Sequence, residues 1–338
     1  MNYSTATFSE QRRQAPWRSI DLTLHKGTAM YVLLGSNGNI TSKAATLLLA
    51  QGAAIRVIGR NAESLGTIQA AGADIAAGDI SDAGFLTEAF TGATAVYAMI
   101  PTEYSAPDMA AAQDRLGNTI AHAITAAGVK RVVNLSSIGA HLSAGTGPIA
   151  GLYRQEQRLN ALAGVDVLHL RPGYFFENHL LAIQMIPAIG VYADMTAPDA
   201  PLPMVATADI AEVIARELRT SSAKGKRILH LRAPRLYTMR ESTAILGAGI
   251  DKPDLAYVQA DPEQGKAALM QHGFSANAAA MMEEMSVTFS TGRLNGEHEK
   301  GPTEITPTSL EHFAAAVFKP AYAASIQTSP ARDAGGAR

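Results

Sequence analysis

The chain has 338 residues, of which 47% are hydrophobic and 17% charged, which is typical of a globular protein of one large domain or two modest ones. A net charge of −2, with the basic residues dispersed, gives no electrostatic basis for binding nucleic acid or an anionic membrane surface. The absence of cysteine excludes disulfides, thiolate metal sites and a cysteine nucleophile, and no apolar run is long enough to span a bilayer. We therefore expect a cytoplasmic protein.

The two ends of the chain differ in composition from its middle. Residues 1–29 combine three arginines with acidic residues and lack the apolar stretch of a secretory signal, so we expect a disordered leader, with a transit peptide as the alternative. Folding is predicted to begin at Met30. Residues 324–338 are small and polar, which predicts a disordered tail.

Short apolar runs alternate with helical patterns between Met30 and Arg171. Six runs have the length and composition of buried strands: MYVLL (30–34), AIRVIG (54–59), ADIAAGD (73–79), ATAVYAMI (93–100), RVVNLSS (131–137) and VDVLHLR (165–171). Strands that alternate with helices predict parallel βαβ units, and hence an α/β fold with a doubly wound Rossmann-type sheet. Ligands of such sheets bind at the carboxyl ends of the strands.

The pattern changes after Arg171. Residues 174–204 are rich in aromatic residues, Met and Pro without a clear period, whereas 207–219 and 237–250 have helical patterns and 227–232 indicates one more strand. Either Thr207 or Asp209 is expected to cap the first of these helices, and 251–323 is expected to be mostly helical. We predict a dinucleotide-binding domain from 30–173 plus about 205–232, and a smaller, mostly helical substrate region from 174–204 plus 233–323 that closes over the ligand edge.

A glycine turn, Gly35-x-x-Gly38-x-x-Thr41, follows the first predicted strand and opens a helix. Gly35 permits a sharp bend, Gly38 lets the backbone approach a pyrophosphate, and the helix N-terminus offers N–H groups to that anion. Thr41 stands where glycine is usual, but that position serves helix packing and not phosphate contact. This context favours a cofactor site over an ordinary tight turn.

Arg60 and Asp79 follow the second and third predicted strands. An acidic residue after the second strand would bind the ribose of NAD, whereas Arg60 can pair with a 2′-phosphate, which favours NADP(H) over NAD(H). The alternative for Arg60 is an exposed surface arginine. Asp79 is expected either near the adenine or as a helix cap together with Ser81 or Asp82.

Several segments resemble one known family in order along the chain: GSNGNIT, VIGRN, GADIAAGDISD, LSSIGA, HLRPGYFFEN, VATADIAEVI and EITPTSLEHFAAAVFKPAY. On these segments residues 30–323 resemble the NmrA-like family, a branch of the atypical short-chain dehydrogenase/reductases. The resemblance implies a Rossmann domain that binds NADP(H) or NAD(H), and a small C-terminal domain that completes a cleft. Some members reduce quinones, enones or phenylpropanoid ethers, while others bind the dinucleotide and act as redox sensors through partner proteins.

The resemblance also implies roles for individual residues. The cofactor's phosphates and adenosine end would be held by Gly35, Asn37, Gly38, Asn39, Ile40 and Arg60. The chain would pass beneath the dinucleotide at Met99, Ile100 and Pro101. The nicotinamide and substrate would be surrounded by Ser136, Pro172, Ser137, Tyr174 and Phe175, of which the last three form the substrate pocket.

Tyr153 is the first candidate for a catalytic acid. Typical short-chain reductases carry Tyr-x-x-x-Lys on the helix after the fifth strand, where the lysine charge activates the tyrosine and the lysine holds the ribose. Here Gln157 occupies the lysine position, and Arg154 points about 100° away around the helix. Standard carbonyl reduction by this pair is therefore disfavoured, and simple helix packing is the alternative for Tyr153.

Hydride transfer to a quinone or enone needs a weaker acid, because the developing charge is delocalised. Tyr174, Phe175 and Phe176, with Met185 and Met204, indicate an apolar pocket, and Tyr174 is the second candidate acid. Packing of the domain junction is the alternative, and it is preferred for Phe176. A structural role is likewise preferred for His179 over proton donation at the cleft rim.

The sequence lacks the motifs of metal-dependent and ATP-dependent enzymes. The histidines form no recognised metal-binding spacing, so no metal site is predicted, and no lysine of an ATP-binding loop follows the glycines. We predict an NADP(H)-dependent oxidoreductase that transfers hydride to a small apolar electrophile such as a quinone or enone. The alternative is an NAD(P)-binding redox sensor without turnover that acts through a protein partner. A monomer or homodimer is expected.

Overall fold

The structure is a computed structural model that describes residues 29–35, 38–220, 224–294, 296 and 300–328. The predicted leader up to residue 28, the predicted tail from residue 329 and Asn37 lie outside the described residues.

Strands and helices alternate through the first half of the chain. The described strands are β1 (Met30–Leu34), β2 (Ala54–Gly59), β3 (Asp74–Ala77), β4 (Ala95–Ala98), β5 (Arg131–Leu135), β6 (Asp166–Pro172), β7 (Tyr174–Phe175), β8 (Val191–Asp194), β9 (Leu202–Val205), β10 (Lys226–Arg232), β11 (Leu236–Tyr237), β12 (Ala256–Gln259) and β13 (Thr303–Ile305). The α-helices are α1 (Asn39–Ala50), α2 (Gly66–Ala70), α3 (Ala83–Phe90), α4 (Met109–Ala126), α5 (Ile149–Asn160), α6 (Ala182–Ile189), α7 (Thr207–Arg219), α8 (Met239–Gly249), α9 (Pro262–Gln271), α10 (Ala276–Ser290), α11 (Leu310–Phe313) and α12 (Lys319–Thr328).

Eight strands form one parallel sheet in the order β13-β10-β6-β5-β4-β1-β2-β3. The strand order reverses direction between β1 and β4, which is the feature that defines a doubly wound sheet. The predicted fold class is therefore confirmed. The predicted strand at 227–232 is β10, which pairs with β6.

The sheet is buried on both faces, because the strands carry apolar residues at consecutive positions. In β1, Tyr31 and Leu33 pack with the residues of α1 and α7, while Val32 and Leu34 pack with those of α3 and α4. Alternation of the side chains along the strand thus supplies two separate hydrophobic layers.

The second half of the chain builds a third hydrophobic cluster, which includes Phe176, Met204, Tyr237 and Phe313. Two small sheets belong to this half: β7, β9 and β11 form one, and β8 pairs with β12 in the other. The expectation that 251–323 is mostly helical misses β12 and β13, and β13 joins the edge of the main sheet beside β10. Strands of three or four residues are too short to give a periodic signal.

The N-terminus of α7 is not capped by either of the two residues that the sequence predicts. Neither Thr207 nor Asp209 caps the helix with its own side chain. Instead the Glu177 carboxylate accepts hydrogen bonds from the backbone N–H of Thr207 at 2.9 and 3.1 Å and from its hydroxyl. Asp209 accepts from the N–H and hydroxyl of Thr308. A carboxylate at a helix N-terminus is favourable wherever it comes from, so a distant residue can replace a local cap.

The last described residues form a helical segment that continues beyond the predicted start of the tail at residue 324. A π-helical turn, Ala314–Phe318, joins α11 to α12, and α12 extends to Thr328. Phe318 and Tyr322 stack at 6.5 Å and are buried in the third cluster, which anchors this helix. None of the described helices is both long and apolar enough to cross a membrane.

Candidate functional site

The parallel sheet brings the predicted site residues to one edge, because every strand presents its carboxyl end on the same side. Gly35 follows β1, Arg60 follows β2, and Asp79 follows β3. On the other side of the reversal point, Met99 follows β4 and Ser136 follows β5. Pro172 is the last residue of β6, so that strand includes the proline expected to end it.

The turn after β1 requires glycine. Gly35 has φ +115°, and its N–H donates to the Ile58 carbonyl oxygen at 3.1 Å. A Cβ atom placed on Gly35 would lie 2.9 Å from the Thr41 Oγ1 and 3.2 Å from the Met99 Sδ. Both backbone conformation and space therefore exclude a side chain at this position.

Thr41 lies beneath the turn and is buried, and its hydroxyl donates to the Leu34 carbonyl oxygen at 3.4 Å. Its side chain thus packs α1 against β1, as the sequence predicts for this position. Gly38 precedes α1, and among the described residues no side chain caps the N-terminus of that helix. The first-turn N–H groups of α1 are consequently available to an anion such as a pyrophosphate.

Arg60 and Asp79 follow neighbouring strands, and both are exposed. The pKa of Asp79 is lowered chiefly by a hydrogen bond from the backbone N–H of Ser81 at 2.8 Å, with the charge of Arg60 as a smaller cause. Asp79 closes a turn in this way, whereas Asp82 caps α3. An exposed arginine beside one carboxylate can bind a phosphate placed at the same edge.

A buried ionic cluster ties α5 to β5 and β6. The Ser136 hydroxyl donates to the Glu156 carboxylate at 2.5 Å, and the Arg171 guanidinium donates to the same carboxylate at 3.0 and 2.7 Å. Both charged side chains are almost fully buried. Sequence reasoning missed Glu156 and Arg171; the available signal was a charged residue within the apolar strand VDVLHLR.

Tyr153 lies on the face of α5 that also carries Glu156, three residues further along the helix. It is partly buried, while Gln157 is exposed. Arg154 points toward α4, where its Nε lies 2.7 Å from the Asp114 carboxylate. The Arg154 side chain is thus engaged by α4, in agreement with its expected direction away from the Tyr153 face.

The residues of the segment after β6 differ in how deeply they are buried. Phe176 is fully buried against Tyr237 and Phe313, which confirms that it packs the core. Tyr174 and Phe175 are only partly buried. His179 is fully buried and does not lie at a rim; burial lowers its pKa to about 3, so the imidazole is neutral.

Glu177 also connects the two halves of the chain. Lys43 of α1 donates to the Thr207 hydroxyl at 2.8 Å and to the Glu177 carboxylate at 3.4 Å. The helix that begins at the glycine turn is thereby tied to the segment after β6. Sequence reasoning missed this contact, because its three members are distant along the chain.

A sheet of this order, with a glycine turn and a helix N-terminus at its reversal point, defines the Rossmann class of dinucleotide-binding proteins. Residues 28–314 match the NmrA-like family, and the chain belongs to that family. The expected membership is confirmed.

Relatives of known activity are similar over nearly their whole length. An NAD(P)H azoreductase of Xenophilus azovorans is 26% identical over 297 residues, which are 88% of this chain and 99% of the relative. An NADPH-dependent quinone oxidoreductase of Escherichia coli, in complex with NADPH, superimposes with a TM-score of 0.70 at 22% identity, over 86% of this chain and all of the other. The triphenylmethane reductase of a Citrobacter species, in complex with NADP(H), gives a TM-score of 0.66 at 18% identity, over 84% of this chain and 98% of the other.

The family and the azoreductase relative support the general class of an NAD(P)-binding Rossmann-fold oxidoreductase. The two solved structures are less than 25% identical to this chain and show the fold alone.

Proposed function

We propose that the protein is an NADP(H)-dependent oxidoreductase that transfers hydride from NADPH to a small apolar electrophile such as a quinone or enone. The observation that carries this proposal is the N-terminus of α1 beside the Gly35 turn, which no side chain of the described residues caps, with Arg60 at the end of the adjacent strand. The similar proteins are an azoreductase, a quinone oxidoreductase and a triphenylmethane reductase, which adds azo and triphenylmethane compounds to the candidate acceptors. All three classes are conjugated and can delocalise the electrons that they receive.

The described residues fit a dinucleotide. The turn from Gly35 to Ile40 would hold the pyrophosphate through backbone N–H groups, and Met99 to Pro101 would lie beneath it. Arg60 would bind the 2′-phosphate, and Asp79 would lie beside the adenine end. When bound, the nicotinamide supplies the hydride.

The residues at the nicotinamide end align the acceptor and exclude water. Ser136 is held by Glu156 and fixes the end of β5 next to Pro172, whose carbonyl oxygen accepts from the N–H of Ile138 at 2.9 Å. Ser137, Tyr174 and Phe175 would line the acceptor pocket. Tyr153 and Tyr174 are the two candidate proton donors there.

A redox sensor without turnover is the second candidate. It is favoured by Gln157, which supplies no charge to activate Tyr153. Such a sensor would bind the dinucleotide at the same edge and signal through a protein partner.

A titration of the protein with NADPH, in which binding is monitored by the NADPH fluorescence, tests both functions. A panel of quinones, enones and azo dyes is then added to the same sample. Binding followed by acceptor-dependent loss of NADPH supports the reductase. Binding without loss for any acceptor refutes the reductase and supports the sensor, and absence of binding contradicts both.

A further inference from the structure

Two helices that pack side by side on one face of the sheet are connected at the ligand edge. The cofactor helix α1 begins at Asn39 and α7 begins at Thr207. Lys43, one turn into α1, donates from its Nζ to the Thr207 hydroxyl at 2.8 Å and to the Glu177 carboxylate at 3.4 Å. Thr207 donates both its N–H and its hydroxyl to Glu177. The three side chains thus form a closed set of hydrogen bonds.

The two charged members of this set differ in their access to water. The Glu177 side chain is only 8% exposed, whereas that of Lys43 is 40% exposed. A carboxylate that is nearly removed from water needs charged or N–H partners, and Glu177 takes one partner from each helix. Removal of the Lys43 ammonium would therefore break the connection to α1 and leave the N-terminus of α7 with its carboxylate.

The set lies at the end of the strand that carries two of the predicted acceptor-pocket residues. That strand, β7, consists of Tyr174 and Phe175 and pairs in parallel with β9. Glu177 and Thr207 each follow the end of one of these paired strands by two residues. Phe175 packs against the hydrophobic cluster of α1 and α7, whereas Tyr174 packs against the third cluster. The contact between Lys43 and Glu177 therefore joins the cofactor helix to the segment of the acceptor pocket.

Hydride transfer depends steeply on the distance between its two partners. The reacting atoms must approach to about 3–3.5 Å, and a misplacement of about 1 Å can slow a reaction about a hundredfold. In the proposed function, the N-terminus of α1 places the dinucleotide and β7 places the acceptor. A connection between α1 and the end of β7 fixes that distance.

We propose that Lys43 and Glu177 are positioning residues that hold the acceptor-pocket strand β7 at a fixed distance from the cofactor helix α1. This inference rests on the proposed reductase function. The two residues act through Phe175 and Tyr174 on one side and through the phosphate-binding turn on the other.

Four single variants separate this role from general packing of the two helices. Lys43→Met removes the ammonium and keeps a side chain of similar length, while Lys43→Arg keeps the charge. Glu177→Gln keeps an oxygen that can accept from the Thr207 N–H. Arg219→Met is the matched control, because Arg219, the last residue of α7, donates to the side chain of Gln51 at the far end of α1. It therefore disconnects the same two helices away from the ligand edge.

The hydride step is measured by mixing the NADPH-loaded protein with a saturating quinone and recording the loss of NADPH absorbance in a single turnover. Lys43→Met should lower this rate about tenfold, less than the limit for a misplacement of 1 Å, with the Kd for NADPH changed less than about twofold. Lys43→Arg and Arg219→Met should stay within about twofold of the wild type. The double variant of Lys43→Met and Glu177→Gln should be no slower than Glu177→Gln alone, because both changes remove one contact.

A wild-type rate in Lys43→Met would overturn the inference. An equal loss in Arg219→Met would also overturn it, since any loosening of the two helices would then have the same effect, and so would an equal loss in Lys43→Arg. Additive losses in the double variant would show that the two residues act separately, against the inference. A large loss of NADPH affinity in Lys43→Met would make Lys43 a cofactor ligand instead. In all these cases the wild type still reduces a quinone, whereas a wild type that binds NADPH but reduces no acceptor would refute the proposed function.

Discussion

Replacement of Gly35 by alanine tests whether the turn after β1 is both sterically closed and the phosphate site. Gly35 has φ +115°, a conformation that L-residues rarely adopt. Gly72 offers a matched control, since its φ is +106° but a Cβ atom there would meet only the Leu49 Cδ2, at 3.9 Å. The two substitutions share the backbone strain and differ in the surrounding space.

The magnitudes follow from these two contributions. Backbone strain of this kind costs about 1–3 kcal/mol, which is the loss of unfolding free energy expected for Gly72→Ala. At Gly35 the new Cβ atom lies 2.9 Å from the Thr41 Oγ1 and 3.2 Å from the Met99 Sδ. Overpacking of a closed site adds about 1–3 kcal/mol, so Gly35→Ala should lose more than Gly72→Ala by this amount.

Urea denaturation measures the stability of each variant, and NADPH fluorescence measures its cofactor affinity. Gly35→Ala should weaken NADPH binding at least tenfold, while Gly72→Ala leaves it unchanged. Adding Thr41→Ala to Gly35→Ala should recover part of the stability, because it removes the nearer of the two contacts. Equal stability losses at Gly35 and Gly72 would refute the steric argument. Unchanged NADPH affinity in Gly35→Ala would refute the assignment of the phosphate site.

Three further outcomes are expected. Arg60→Ala should weaken NADPH binding by about 1.5–3 kcal/mol, the scale of a charge-assisted hydrogen bond, and barely affect NADH; equal losses would contradict the role of Arg60. Tyr153→Phe should lower the kcat for quinones more than it weakens NADPH binding, and an unchanged kcat would return Tyr153 to a packing role. Burial lowers the pKa of His169 to about 4 and that of His179 to about 3 from 6.5, so the unfolded chain binds protons that the folded chain excludes. The unfolding free energy should therefore fall by roughly 2 kcal/mol per histidine from pH 7 to pH 5, as measured by urea titrations. The total fall should be smaller in His179→Gln, because that variant retains only the contribution of His169.

The main sheet was predictable because its strands are buried on both faces. Such strands need continuous apolar runs, which stand out between helical patterns. The predicted run 93–100 contains the observed strand Ala95–Ala98, so even the bounds are close. By contrast, β13 has three residues at the edge of the sheet and only a single fully apolar residue, Ile305, so no pattern marks it.

In the candidate site, too, the local motif was predictable and the contacts between distant residues were not. The glycine turn is a local motif, and its geometry follows from residues that are close in sequence. The cluster of Ser136, Glu156 and Arg171 joins three elements, and the contact between Lys43 and Glu177 joins two. Such contacts depend on tertiary packing, which a single sequence does not encode in any local pattern.

The contacts of α5 indicate which acceptors the site can reduce in the absence of the usual lysine. The two cations of this helix, Arg154 and Arg158, both bind Asp114 on α4, so neither can assist Tyr153. A simple ketone would form a localised alkoxide, whose charge needs a nearby cation, whereas a quinone spreads the charge over its ring. An uncharged tyrosine hydroxyl such as that of Tyr153 or Tyr174 suits the second case. We therefore expect a quinone to be reduced at least a hundredfold faster than a saturated ketone of the same size, measured as kcat/KM from NADPH absorbance. Equal rates would mean that a cation reaches the acceptor from some element other than α5.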